Sequence, residues 1–489
     1  MMAFFFTVLF IATAYITPEV LFGDLAQLRM EVIVAFFAVA TSLPNLVKSR
    51  LNEAPQTYAF IGFCIAVPMS IAVGGWMGGA ADVLYGLMPL VLCFVLPAAN
   101  FRNRQQLQWL TLAMLLCSAY FIFMGLQDLH NHVVPSKFIY GDGELRRIRG
   151  LGFVFDPNDL AQVLVSLIPL VFLWKSRSWF LNIFLLGIPI TLLVTGMFFT
   201  HSRGGALALM ATIVIALRRK IGTVPALVLA GGLFAASLAV GWSGGRDVSM
   251  EAGGDRLDAW STGLEFIKTH PLFGVGVGQF AQFNDITAHN SIVVCAAEIG
   301  LPGFVCWVFM IVASLRRLIA VSSARPEQQE TAGAPAQVPF GAPLAHLRSR
   351  VASAGLASAH TQPLAMAGSA SLAAPTLSEG AGRSRFGRSQ VQAPVIDLDR
   401  QEDIRRMARL LVCSLTGFLT AGWFLSRALS MWLFLYFGIA QAIFCMAEDA
   451  GMKPRRDSFP VLLRWSGVVA VGLLVFVYGL LRFRTMTGR

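Results

Sequence analysis

Charge is scarce in this chain. Only 13% of its 489 residues are charged, whereas 56% are hydrophobic before 45 glycines are counted. A soluble domain carries about 25% charged residues. A water-soluble protein of this length cannot hide so much apolar surface behind so few charges, so a soluble multidomain enzyme is excluded. Lysine is rarer still, at six of the 38 basic residues, the other 32 being arginine. These cations sit in short clusters between apolar runs rather than on one folded face, which argues against nucleic acid as a partner. The seven cysteines form no CxxC pair and all lie inside apolar runs. They read as small buried hydrophobes, not disulfides or metal ligands. Met1 to Phe22 lacks a basic n-region and a small-residue cleavage site, so it is expected to be a first membrane helix rather than a signal peptide.

What is abundant is long apolar runs. A span needs about 20 apolar residues. Runs of suitable length lie at roughly 3–22, 30–46, 58–76, 81–99, 107–125, 159–174, 178–199, 204–217, 222–242, 289–315, 408–425, 428–447 and 460–481. The expectation is an all-α polytopic integral membrane protein of about 12–13 transmembrane helices. The stretch 408–447, interrupted at Arg427, reads as a helical hairpin. Basic clusters at Lys48/Arg50, Arg102/Arg104, Lys175/Arg177, Arg218/Arg219/Lys220, Arg316/Arg317 and Lys453/Arg455/Arg456 all fall on one side when spans alternate. The positive-inside rule makes that side cytoplasmic. Thirteen spans would put Arg482, Arg484 and Arg489 outside, against the rule.

Four regions follow: N-terminal spans over 1–126, a core over 127–320, an insertion over 321–408 and C-terminal spans over 409–489. The insertion is rich in Ala, Ser, Gly, Pro and Gln, with 9 arginines, 7 acids and no lysine. Such a composition cannot bury a core and is expected to be disordered and cytoplasmic. It is either a docking segment or a tolerated insertion. From Asp397 to Arg409 it is charged enough for an exposed helix leading into the next span.

The outer segments 127–158 and 243–288 should be poor in arginine, yet they hold Arg146, Arg147, Arg149, Arg246 and Arg256, and Arg203 lies in a short outer turn. One reason is a polyanionic ligand, because guanidinium matches phosphate oxygens in bidentate geometry. The alternative, slightly favoured for Arg146 and Arg147, is snorkelling and surface ion pairing. Arg203 is better placed. Ser202 is a plausible helix cap before it, and Gly204 and Gly205 permit close approach. A helix N-terminus adds amide donors and a positive dipole end. Asp255 is expected to cap a second short helix to about Thr269, with Arg256 and Trp260 on one stripe. Phe273 to Gly278 alternates glycine but has no preceding strand, so it reads as a turn or a backbone nest, not a dinucleotide fingerprint. His289 and Asn290 open the apolar run that ends at Arg316, and Gly300, Pro302 and Gly303 should kink it. Glu298 lies about 900° of helix from His289 and cannot pair with it. Asp156-Pro157-Asn158-Asp159 reads as a turn into a helix, with Asn158 or Asp159 as cap.

Together, Arg149 to Ala161, Thr200 to Gly205, Arg256 to Trp260, His270 to Gly276, and His289-Asn290 followed by Glu298, Gly300 and Gly303 resemble the O-antigen ligase and O-antigen polymerase superfamily of bacterial envelope glycosyltransferases. The resemblance implies a type C glycosyltransferase-like fold in the bacterial inner membrane with its active site facing the periplasm. It implies transfer of a glycan from a polyprenyl pyrophosphate carrier to an acceptor hydroxyl on lipid A-core, glycan or protein, with no cofactor and no metal. It gives Arg203 and Arg256 the donor pyrophosphate and His289 the acceptor hydroxyl, with Arg149, Asn158, Asn290 and Trp260 as substrate contacts. Ligase and polymerase members share these motifs, so the acceptor does not carry over. A lipid-linked sugar transporter or flippase, or a membrane scaffold of an envelope-assembly complex, are the competing readings. Against transport stand the scarcity of mid-span charge and the lack of an internal repeat.

Overall fold

A computed structural model of the chain describes residues 1–141, 143, 145–242, 244, 254–284, 286–324 and 397–487. The disorder expected between 325 and 396 lies outside the described residues, as does Arg246. The rest is almost wholly helical, because lipid supplies no partner for backbone N–H and C=O groups and each span must satisfy its own.

Among the described residues ten helices are long and apolar enough to cross a membrane: α1 (Met2–Leu21), α2 (Met30–Val47), α3 (Pro55–Ala72), α4 (Met77–Asn100), α5 (Arg104–His130), α6 (Pro157–Trp174), α7 (Trp179–Phe199), α11 (Ser291–Ser323), α13 (Met431–Asp449) and α14 (Phe459–Met486). Three further helices, α8 (Arg203–Ile221), α9 (Thr223–Ala239) and α12 (Leu398–Gly422), fall on the remaining expected spans. They are shorter or carry more charge. Between them lie a two-residue ribbon, β1 (Ile139–Tyr140) antiparallel to β2 (Arg147–Ile148), and the short amphipathic α10 (Gly254–Thr269). The helix after the insertion begins at Leu398 and is not simply exposed: Gln401, Ile404 and Arg405 are buried.

Helices α13, α6 and α11 form the centre, with 94%, 83% and 78% of their apolar windows buried, while α2, α7 and α14 turn most of theirs outward. In lipid, apolar surface gains little by meeting apolar surface, so polar contacts contribute to holding spans together. Asn100 on α4 donates to Thr7 Oγ1 on α1 (2.8 Å) and Ser42 Oγ on α2 (2.7 Å), and accepts from Asn45 Nδ2. Tyr436 on α13 donates to Ser166 on α6 at 2.7 Å.

Helix α11 breaks where glycine and proline predicted it. Gly300 has φ 76°, in the left-handed region open to glycine. Its freed amide neighbourhood is filled by the glycine-rich loop: Val275 N donates to Ala297 O, Gly276 N to Glu298 O and Leu301 N to Pro271 O. A side chain at Gly274 would strike the Glu298 backbone at 2.4 Å. The alternate glycines therefore form a turn packed on a broken helix. Glu298 finds its partner in the same loop, accepting from Phe280 N at 3.2 Å.

The basic tail of α14 lies at the same end of the bundle as α10, since Arg484 Nη1 pairs with Asp258 Oδ1 at 2.6 Å.

Candidate active site

Four helix N-termini meet at one end of the bundle, each begun by a short polar side chain or a glycine. Asp156 caps α6, its Oδ1 accepting from Asn158 N at 2.7 Å; the expected caps Asn158 and Asp159 lie inside the first turn instead. Ser202 caps α8, accepting from Gly205 N at 3.1 Å. Asn290 caps α11, accepting from Ile292 N and Val293 N. Helix α10 starts at Gly254, with Asp255 in its first turn. Close approach of α8 depends on its two glycines. A Cβ at Gly205 would come within 2.9 Å of Ala161 on α6, and one at Gly204 within 3.0 Å of Phe424.

Arg203, Arg256 and Asn158 line one small cavity between these termini, with Ser202, Gly205 and Phe424. Its volume is about 20 Å³, the room of a water molecule rather than of a pyrophosphate. Burial, and then the charge of Arg203, hold the Arg256 guanidinium below the usual arginine range. Like charges held together beside helix N-termini are a stored preference for an anion.

Arg149 is elsewhere. Its guanidinium stacks 4.0 Å from the Phe155 ring and donates to the carbonyls of Lys137 and Ser136. The buried arginine of this segment is Arg147, which donates to Thr200 O (2.8 Å) and to Asn158 Oδ1 (3.0 Å). Burial lowers its pKa, and Arg256 and Arg203 push the same way. Reading Arg147 as a surface residue is therefore corrected.

His289 does not line the Arg203–Arg256 cavity. It sits half-buried one residue before the Asn290 cap, with φ 46°, a conformation costing about 1–2 kcal/mol for a non-glycine residue. Its imidazole makes no hydrogen bond among the described residues, and burial followed by the charge of Arg256 pulls its pKa down. Asn290 is fully buried, and its Nδ2 has no partner among the described residues. Trp260 is buried too. Its Nε1 donates to Ala288 O at 2.7 Å and its ring meets Trp423 edge-on. It lies beneath the His289 loop, outside the cavity wall.

Two groups escaped the sequence reading. Asp156 acts electrostatically on Arg147, Arg256, His289 and Arg427; its only mark in the sequence is its place before Pro157. Asp159, buried, holds Arg427 from the α12–α13 turn (Nε to Oδ2, 2.8 Å), and Arg427 N donates to Ser291 Oγ at 3.0 Å. That turn is thereby tied to α6 and α11 at once. Among the described residues no group of three His, Cys, Asp or Glu side chains is placed to hold a metal ion.

Fold and site define a polytopic helical membrane protein with a small arginine-lined cavity where helix N-termini converge. Residues 188–308 match the family model described as O-antigen ligase. The match supports a membrane glycan-transfer enzyme of that family. It contains Arg203, Arg256, Trp260, His289 and Asn290, while Arg149 and Asn158 lie before it. No curated protein matches the chain.

Proposed function

We propose that the protein transfers a glycan from a polyprenyl pyrophosphate carrier to an acceptor hydroxyl, at the periplasmic face of a bacterial inner membrane and without a divalent cation. The observation that carries this reading is the meeting of Arg203, Arg256 and Asn158 on one cavity at the N-termini of α6, α8 and α10. Guanidinium groups and helix dipoles there can hold a pyrophosphate without a metal. Donor binding requires the arginine side chains to part, because the cavity as it stands admits little more than water.

A lipid tail has a place to go. A cavity of about 430 Å³ opens beside Arg427 and Ser291, walled by Ile292, Trp307, Leu433 and Leu473. Its surface is apolar, as a polyprenyl chain requires.

In the reaction the acceptor oxygen attacks the anomeric carbon, and the bond from that carbon to the pyrophosphate oxygen breaks. The pyrophosphate leaves with the bonding electrons, and Arg203 and Arg256 stabilise the charge that develops on it. The acceptor proton passes to the imidazole of His289, which is neutral near pH 7 because burial disfavours its charged form. Asn158 orients the donor phosphates. Asn290 and Trp260 set the position of the His289 loop, and Arg149 supports the segment that delivers Arg147.

The test is transfer by purified protein from a lipid-linked glycan to acceptor, in EDTA. The expected result is turnover unchanged by chelation. Turnover lost in EDTA and restored by magnesium or manganese removes the metal-free reading, and glycan moved across vesicles without transfer removes the enzyme.

A further inference from the structure

Helix α11 carries His289 before one end and Arg316 and Arg317 near the other. At 1.5 Å per residue, the path along α11 from Ser291 to Arg317 runs to about 39 Å, less in a straight line because of the break at Gly300. At this far end a cavity of about 280 Å³ lies between Arg317, Tyr58 of α3, Phe444 of α13 and the loop residues Arg455 and Arg456. By the same measure one water needs roughly 10–15 Å³, so the space suits a group larger than water.

The charges here are unevenly matched. Arg316 pairs with Asp457 (2.6 Å), and Arg455 shares that carboxylate at 3.3 Å. Arg456 pairs with Glu448 (2.6 Å) and Glu53 (3.2 Å), and Arg50 holds Glu448 and Asp449. Among the described residues these five arginines stand over four carboxylates, and Arg317 is the one of the five that makes no ion pair there. It is also the most buried, at 9% exposure. Its Nη1 donates to the neutral Gln56 Oε1 at 3.2 Å, its guanidinium carbon lies 3.8 Å from the centre of the Phe444 ring, and its Nε is buried with no partner among the described residues. A buried guanidinium on a cavity wall, with no carboxylate at ion-pair distance among the described residues, leaves room for an anion beside it.

We propose that this cavity binds a phosphate group, with Arg317 as the buried donor and Arg455 and Arg456 at the rim. Guanidinium offers phosphate two parallel N–H donors. A phospholipid headgroup is the source the surroundings favour, since the exposed rings of Tyr58 and Phe459 stand where acyl chains would run. Basic pockets between spans are a known way to hold anionic headgroups. The site is separate from the pyrophosphate site and does not depend on the transfer reading.

The full chain, purified in a neutral detergent and stripped of lipid, tests this by thermal unfolding and native mass spectrometry. It is titrated with phosphatidylglycerol, with phosphatidylcholine and with inorganic phosphate. The expected result is retained, stabilising phosphatidylglycerol, with apparent affinity at least tenfold weaker in Arg317→Gln and clearly weaker in Arg455→Gln. The second residue is 81% exposed in its side chain, so its variant reports binding even if the first fails to fold. Stabilisation by inorganic phosphate that both variants weaken keeps the site but assigns it to free phosphate. Equal effects of both lipids without a phosphate effect, or affinity unchanged in the folded variants, overturns the proposal.

Discussion

The indole Nε1 of Trp260 donates a 2.7 Å hydrogen bond to the carbonyl of Ala288, the residue before His289. Through it, the short helix α10 holds the loop on which the proposed base sits. Ala288 is fully buried, so its carbonyl has no water to turn to. Trp260→Phe should therefore cost about 1–3 kcal/mol of stability, the range for a buried group left unsatisfied. It should also lower kcat per folded molecule while leaving KM for the donor near normal. Steady-state kinetics on protein quantified by thermal unfolding checks this. Normal kcat in the folded variant would mean that Trp260 only packs.

Arg147 bridges two elements of the site, from Thr200 O to Asn158 Oδ1. Arg147→Ala should destabilise by about 1–3 kcal/mol, because Thr200 O stays buried without its donor. Donor affinity should fall as well, since one positive charge leaves the surroundings of Arg203 and Arg256. Lysine should restore part of the affinity but little of the stability, having no fork to span both acceptors. Donor binding unchanged in the alanine protein would confine Arg147 to bracing.

For Arg203 the expectation is sharper. Arg203→Lys should lower transfer nearly as much as Arg203→Ala, because lysine presents a point charge where phosphate oxygens need a planar fork. Arg203 opens α8, where an ammonium on a flexible stem gains nothing from the helix geometry. Near-normal turnover of the lysine variant would reduce Arg203 to a positive anchor.

How far the sequence carried this reading depends on the kind of residue. All thirteen apolar runs became helices, since lipid leaves the backbone few other ways to satisfy itself. Ser202, Gly204, Gly205 and Arg203 were legible because a cap, two small residues and a charge in six positions have few other uses. From the sequence, Arg149 reads as the substrate contact and Arg147 as a surface residue, because two arginines two positions apart show nothing of which will turn inward. Asp156 looked like turn chemistry, and its electrostatic reach appears only once α8, α10 and the His289 loop surround it. The Asp159–Arg427 pair joins residues 268 positions apart, a contact that no local pattern announces. Trp260 gave the right helix face, but whether that face met substrate or the underside of a loop was a matter of tertiary packing.

Sidedness follows from the two ends of α11. Gln282, exposed near His289, and Arg455, exposed near Arg317, should lie on opposite sides of the membrane. The native cysteines are free and are buried or half-buried, so the parent protein sets a low background. With a membrane-impermeant thiol reagent, Gln282→Cys should label in intact cells with permeabilised outer membranes, and Arg455→Cys only after lysis. The reverse pattern would put the arginine pocket on the cytoplasmic side.

The reaction is most exposed to test at His289. Burial, then the charge of Arg256, hold its pKa below the usual 6.5, with Asp156 opposing. The base must be neutral, so activity should be full above its pKa and fall as pH drops through it; the acid limb should lie below 6.5. Asp156→Asn keeps a good helix cap but removes the opposing charge. The limb should then move to still lower pH, a shift that mere loss of packing would not produce. His289→Ala should cut transfer by roughly 10²–10⁴-fold, the usual worth of general-base assistance, with expression and donor binding close to normal. His289→Gln separates proton acceptance from positioning, because glutamine keeps a hydrogen bond without useful basicity. An inactive glutamine protein that still binds donor supports proton transfer to the imidazole. A fully active one, with its acid limb unchanged, leaves His289 only the task of placing the acceptor.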